Sequence, residues 1–414
     1  MPLTLAQAFN PRANSIGFLR WLMAFMVIFS HAGPLGGFYD GKDLGTQWSD
    51  EQSLGGVAVS GFFFLSGFLI TRSRMGRAST GRYFWRRVLR IFPAFWLSLL
   101  VVAFVFAPIA WLRVNGTLSG YLSAPQDSPL TYFFNNMWLP MNQNGIAGLG
   151  VGIPFYAVSG GGFDWNGSAW TLAYEFTAYI LVGILGAFGA LANRKVGGLV
   201  AGGILVLAAM QWLWAGDPSK AFPFLSGNIY FLLLLAPFAF GMVFALFGDK
   251  IPIDDRIAVG AAIIAVLTYG KGGWLAYGQY FFMYALMWFA IRATKLNRWE
   301  RFGDFSYGIY IFAWPVMYLA SFFGLENEGW LVYHLVIVFA VHVLAFLSWH
   351  LIEKPAMSLK DWTPRWLDWI LRTWWSPVSL ALKRRLVDPR YSSTAFAAGL
   401  RAEAINRSGD GSAS

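Results

Sequence analysis

Arg20 and His31 stand eleven residues apart in an otherwise apolar stretch. In a helix that spacing is close to three turns, so both side chains share one face, about 16 Å apart. An imidazole so placed suits general-base work on a hydroxyl, and a guanidinium suits an anion. The same pair also fits an arginine that reaches back to the membrane surface and a histidine satisfied inside a helix bundle. Glu175, in Ser168-Ala-Trp170-Thr-Leu-Ala-Tyr-Glu175, is a third ionisable group in apolar surroundings. If its helix enters from outside, Glu175 lies about two turns, roughly 10 Å, below the outer surface and level with His31. A carboxylate there would hydrogen-bond the imidazole, orient it and raise its basicity. The alternatives are a pairing with another buried donor, or a protonated structural role. A charged group at mid-helix costs about 2.5–3.5 kcal/mol, so each of these side chains requires a reason.

Residues 71–91 hold Arg72, Arg74, Arg77, Arg82, Arg86, Arg87 and Arg90 and no acid. Arg82, Arg86 and Arg90 follow i, i+4, i+8 spacing, and Arg87 and Arg90 are i, i+3 neighbours. Guanidinium groups bind phosphate with two parallel hydrogen bonds, so the cluster suits a large anionic cofactor. It equally suits simple retention at inner lipid headgroups.

These side chains need elements to position them, and composition says what kind. Of 414 residues, 57% are hydrophobic and 13% charged, about half the charge of a soluble chain. Mean hydropathy is +0.50. Apolar windows of membrane-spanning length fall near 16–34, 54–72, 92–112, 168–192, 196–215, 226–247, 256–270, 274–292, 305–324 and 330–352. The expected fold is therefore all-α, a polytopic membrane protein with about ten transmembrane helices. Loops 71–91, 193–195, 248–256 and 292–304 carry fifteen Lys and Arg, whereas the opposite loops carry four (Lys42, Arg113, Lys220, Lys271). By the positive-inside rule both termini are expected to be cytoplasmic.

The +10 net charge is thus a topology signal, which removes nucleic acid as a partner and leaves membrane lipid. The absence of cysteine excludes disulfides, thiolate metal sites and a cysteine nucleophile. His31, His334, His342 and His350 are too dispersed for a metal site. Arg20 and the lack of a small-x-small cleavage site after His31 argue against a signal peptide at the first window. The long loop 113–167 fits either an acceptor-shaping element or a plain connector. Residues 356–391, with Trp362, Trp366, Trp369, Trp374 and Trp375, fit a cytoplasmic helix in the inner interface, and 392–414 a disordered tail.

Taken together, the chain from 14 to 356 resembles the acyltransferase-3 family of membrane O-acyltransferases. Six motifs carry the resemblance: Arg20-x10-His31; Gly61-Phe-Phe-Phe-Leu-Ser-Gly-Phe-Leu-Ile-Thr71; Arg86-Arg-Val-Leu-Arg-Ile-Phe-Pro-Ala-Phe-Trp96, with the family's Arg-x-x-Arg as Arg87 and Arg90; Ser168-x-Trp170 through Glu175; Phe305-Ser-Tyr-Gly-Ile-Tyr310; and Ile352-Glu-Lys-Pro355. Each is weak alone; their order makes the signal. The resemblance implies a ten-helix transmembrane domain over 1–355 in a bacterial inner membrane. It further implies an enzyme that takes an acyl group, most commonly acetyl, from cytoplasmic acyl-CoA to a hydroxyl of an envelope glycan.

On that reading Arg87 and Arg90, with Arg86 beside them and Arg20 above, hold the cofactor phosphates. His31 is general base, Glu175 orients it, and Trp170 donates an indole N–H to the developing oxyanion. A covalent acyl-enzyme on His31 or a tyrosine is left open. No metal is called for. Phe312-Ala313-Trp314-Pro315 departs from the aromatic-His pair that many members carry before the proline, so no role for that histidine transfers. Some members also carry a C-terminal hydrolase-like domain; the short tail here implies transfer completed within the membrane domain. The rival reading is a transporter or flippase for a lipid-linked glycan, using Arg20, His31 and Glu175 as its path.

Overall fold

Each of the ten apolar windows folds as a helix in the computed structural model, which describes residues 2–76, 79–213, 229–362 and 364–370. The helices are α1 (Ile16–Gly36), α2 (Leu54–Met75), α3 (Thr80–Val101), α4 (Thr171–Ala187), α5 (Arg194–Leu213), α6 (Ile229–Leu246), α7 (Asp255–Lys271), α8 (Gln279–Arg292), α9 (Ser306–Phe322) and α10 (Trp330–Ser348). Among the described residues there is no strand, only an isolated bridge between Thr4 and Pro252. The fold is all-α. Among the described residues, five stretches are long and apolar enough to cross a membrane: Ile16–Gly36, Leu54–Met75, Thr80–Asn115, Arg194–Gln211 and Trp330–Asp361.

Helix ends follow local chemistry. Ser53 accepts the Gly56 N–H at 3.1 Å and Ser79 accepts the Arg82 N–H at 3.2 Å, caps worth about 1 kcal/mol each. Gly37, at φ 71°, ends α1 in the left-handed conformation that glycine adopts without penalty. The Ser79 cap starts α3 at Thr80, well before the apolar window near 92. Arg82, Arg86, Arg87 and Arg90 therefore lie on a helix, not in the loop their charge suggested. Propensity allows this because arginine is a good helix former, and Arg86 and Arg90 have carboxylate partners. Arg77 lies outside the described residues.

α9 sits at the centre, and Ser306 to Tyr318 are buried without a break. A helix apolar on every side belongs in the interior. α1 and α10 pack along α9, α2 packs along α1, and α6 runs along α2. A methyl group on Gly67 would meet the Phe238 carbonyl oxygen at 2.0 Å, and one on Gly241 would meet that of Phe64 at 2.1 Å. These glycines let the α2 and α6 backbones touch, the small-residue packing of helices in lipid. α7 and α10 present apolar stripes outward, including Ile263, Val266, Leu267, Leu335, Phe339 and Phe346. Those stripes suit hydrocarbon.

Loop 113–167 is not a plain connector at its end. Residues 164–170 enter the bundle as turns before α4 begins. The Trp314 indole donates to the Asp164 carbonyl at 2.7 Å, and the Tyr310 hydroxyl donates to the Ser168 carbonyl at 2.9 Å. Side chains of α9 thus satisfy backbone that has no helix partner, the condition for irregular chain among buried helices. At the other end, Arg365–Ile370 is a short helix with Trp366 and Trp369 exposed. The remainder of the Trp-rich segment, with Trp374 and Trp375, and the tail 392–414 lie outside the described residues.

Candidate active site

Two clusters of ionisable groups lie at opposite ends of the bundle axis. At one, α1 supplies His31 and the turn after it supplies Asp43. Nδ1 of His31 lies 2.9 Å from Oδ1 of Asp43, and the Ser30 hydroxyl donates to the same oxygen at 3.0 Å. A carboxylate accepts, so Nδ1 carries the hydrogen of this contact, and no hydrogen bond engages Nε2 among the described residues. The pair is reachable: the side chains are 19% and 34% exposed. The edge of Trp314 meets the His31 ring at 4.9 Å between centroids. Trp314 stands directly before Pro315, where the sequence departs from the family pattern.

At the other end, α1 supplies Arg20, α3 supplies Arg86, Arg87 and Arg90, and the turn before α9 supplies Asp304. Oδ2 of Asp304 accepts from Arg20 at 2.8 Å and from Arg90 at 2.6 Å. Burial alone would raise this carboxyl, but Arg20 and Arg90 together hold it well below the usual carboxylate range. Arg90 also lies 3.8 Å from Glu353, which a π-helical turn over Trp349–Glu353 aims inward. Arg86 pairs with Asp361 at 2.7 Å, docking α3 on the chain after α10.

Arg87 differs from its neighbours. Its guanidinium lies over the rings of Tyr83 and Tyr179, at 5.7 and 5.6 Å. Its buried Nε has no hydrogen-bond partner, and no carboxylate pairs with it among the described residues. An orphaned buried guanidinium fits an anionic ligand such as phosphate. Arg20, Arg86, Arg87 and Arg90 all line one cavity of about 160 Å³, together with Ser66, Glu175 and Tyr310.

Glu175 belongs to this cavity, not to His31. It accepts from Ser66 at 3.3 Å and from the Tyr179 hydroxyl. The expected His31–Glu175 hydrogen bond is absent, and Asp43 takes the place assigned to Glu175. The reason is the entry of residues 164–170 into the bundle, which starts α4 deeper than a helix beginning at the surface. Trp170 is also apart from His31: its ring packs on Tyr174 and Tyr230 at 5.5 and 5.0 Å.

One helix face connects the two ends. A methyl on Gly55 would lie 2.9 Å from Ser30 Oγ and 3.7 Å from His31 Cε1. From Gly55 the same face of α2 descends through Val59 and Phe62 to Ser66, and these three line the cavity. Eleven residues of helix make that face about 16 Å long. In the wall of the cavity the Tyr310 hydroxyl and Thr171 Oγ1 meet at 2.6 Å, with Phe62 against the Tyr310 ring.

Asp43, Asp304, Asp164 and Glu353 were not singled out from sequence. Glu353 lies in the Ile352-Glu-Lys-Pro355 motif, and Asp304 directly precedes Phe305-Ser-Tyr, so motif neighbourhood would have flagged both. Asp43 carries no such signal.

The family model for the acyltransferase domain matches residues 14–350. Nodulation protein 10 of Rhizobium leguminosarum bv. viciae is 27% identical over 384 residues, covering 84% of this chain and 94% of that protein. An O-acetyl transferase of Shigella phage Sf6 is 26% identical over 368 residues, covering 84% of this chain and 97% of its own. Acyltransferase MdmB of Streptomyces mycarofaciens is 31% identical over 99 residues, 24% of this chain and 25% of its own. No solved structure matches.

Proposed function

Because the chain belongs to the acyltransferase-3 family and is an acyltransferase, we propose that it moves an acyl group, acetyl in the first instance, from acyl-CoA to a hydroxyl of an envelope or exported glycan. The observation that carries this reading is the cavity lined by Arg20, Arg86, Arg87 and Arg90, joined to His31 by one face of α2. We take the helices as ten spans of a bacterial inner membrane with both termini cytoplasmic, following the basic-residue split between loops. The arginine end then faces the cytoplasm, where acyl-CoA resides, and His31 faces outward.

Arg87 is the residue fitted to a cofactor phosphate, since Arg90 and Arg20 are already held by Asp304. His31 Nε2 takes the proton of the acceptor hydroxyl as its oxygen bonds the acyl carbon. The carbon–sulfur bond breaks, and the proton passes on to the departing thiolate. Asp43, in the role expected of Glu175, fixes the tautomer and stabilises the imidazolium. Glu175 instead lines the arginine-rich cavity. The rival reading as a transporter gains no support from these relatives, all named for acyl transfer or nodulation.

The test is transfer by purified protein in lipid bilayers, with labelled acetyl-CoA and isolated envelope polysaccharide. Labelled ester that mild base releases is the expected result. Protein that binds acetyl-CoA no better than an Arg87→Ala variant and labels no polysaccharide would overturn the reading.

A further inference from the structure

Asp164 has no part in the reaction as described, yet it stands beside His31. Its backbone carbonyl takes the Trp314 indole hydrogen at 2.7 Å, and the same indole meets the His31 ring edge-on. Oδ1 accepts the Asn166 N–H at 3.1 Å. Oδ2 accepts nothing among the described residues. A methyl on Gly167 would fall 2.8 Å from Oδ2 and 2.5 Å from the Trp314 ring, so carboxylate and indole converge over that glycine. The carboxyl is densely surrounded by protein but keeps part of its surface open. No Lys or Arg pairs with it among the described residues.

Resting on the proposed acyl transfer, we propose that Asp164 binds the acceptor: Oδ2 receives a second hydroxyl of a polyol whose first hydroxyl lies at His31 Nε2. A half-buried carboxyl with an empty oxygen is costly unless something donates to it. A sugar ring does so and brings a neighbouring hydroxyl at a fixed offset. Phe155, partly exposed and packed edge to face on Trp314 at 5.3 Å, adds an apolar side that sugar C–H groups can meet. Loop 113–167 thus has a stated task, which is to deliver Asp164. The site selects for a polyhydroxylated acceptor over a simple alcohol, because an acceptor lacking the second hydroxyl leaves the carboxylate unpaired.

The experiment uses full-length protein in lipid with acetyl-CoA and a set of methyl hexopyranosides and their monodeoxy counterparts. Wild type is expected to lose at least about tenfold in kcat/KM on one deoxy analogue. Asp164→Ala should raise the acceptor KM by a similar factor on the parent glycoside and be nearly indifferent to removal of that hydroxyl. Its KM for acetyl-CoA should be unchanged, which reports an intact fold. Asp164→Glu should recover part of the discrimination. Equal discrimination by wild type and Asp164→Ala overturns the proposal while leaving acyl transfer intact. Failure of wild type to acetylate any glycoside or polysaccharide overturns the transfer reading, and the proposal with it.

Discussion

His31 Nδ1 and Asp43 Oδ1 lie 2.9 Å apart, although one belongs to a helix and the other to an irregular turn. The contact fixes which imidazole nitrogen is free. His31→Ala should abolish acyl transfer while acetyl-CoA still binds, since the arginine cluster lies about three helical turns away. Asp43→Asn keeps the size but loses the charge, and should lower kcat by about 10²–10⁴-fold. The check is single-turnover transfer alongside acetyl-CoA titration. Near-wild-type kcat in a folded Asp43→Asn protein would return Asp43 to a purely structural role.

The arginines of the Arg-x-x-Arg motif should separate experimentally. Arg87→Ala removes a guanidinium that no carboxylate holds among the described residues, so acetyl-CoA affinity should fall with little change in thermal stability. Arg90→Ala leaves Asp304 with one cationic partner, Arg20, and should cost about 3 kcal/mol of stability. Arg87→Lys should restore binding only in part, because an ammonium lacks the planar fork. Melting curves with and without acetyl-CoA distinguish the two. Matching losses of stability in both alanine variants would refute the division of labour.

Gly55→Val tests the approach of α2 to the imidazole. Even a first carbon would press on Ser30 Oγ at 2.9 Å and displace the Ser30–Asp43–His31 group. Transfer should fall by about 10²-fold, the effect of small misplacement at a reacting group, with acetyl-CoA binding retained. The measurement is the ratio of the two.

That Arg20 and His31 share one helix was legible in the sequence, whereas the partner of Glu175 was not, for one physical reason. Arg20 and His31 share a helix, so their relation follows from local periodicity. Glu175 could be matched to His31 only by assuming where α4 begins, and buried turns at 164–170 move that point. Asp43 is harder still, because it arrives through Tyr39 and Asp40, at φ 55° and 58°, a left-handed path that no periodic pattern announces. The arginines were recognised as a group, yet only packing divides Arg90, clamped by Asp304, from Arg87.

Orientation is open to direct labelling because the chain has no cysteine. Gly120→Cys and Asn327→Cys should react with an impermeant thiol reagent added to intact cells, and Asn297→Cys should react only after lysis. Labelling of Asn297→Cys in sealed cells would invert the proposed topology, with the arginine end then facing outward.

The Asp164 carboxyl gives a pH signature. Burial raises it to about 7, against the Asn166 N–H and the His31 ring, with Tyr132 and Tyr318 also facing it. Below that pH the neutral form predominates, and above it the ionised form, the stronger acceptor of a hydroxyl hydrogen. Acceptor KM should therefore fall as pH rises through about 7, and Asp164→Asn should lack that step. Because the fold favours the protonated form, stability should decline as pH rises from about 4 to about 7 and level off above it. A step that persists in Asp164→Asn would assign it to another group.

The separation of Arg20 from His31 by about three helical turns has a consequence, under the proposed reaction, for the cell's energy economy. The nucleotide stays at the arginine end and the glycan at the His31 end; only the acyl-bearing thiol arm of the coenzyme has to span the distance between them. On that reading spent coenzyme remains on the side where it is recharged. A cell working this way would decorate its exterior from an internal pool without drawing on the gradient that drives its transporters.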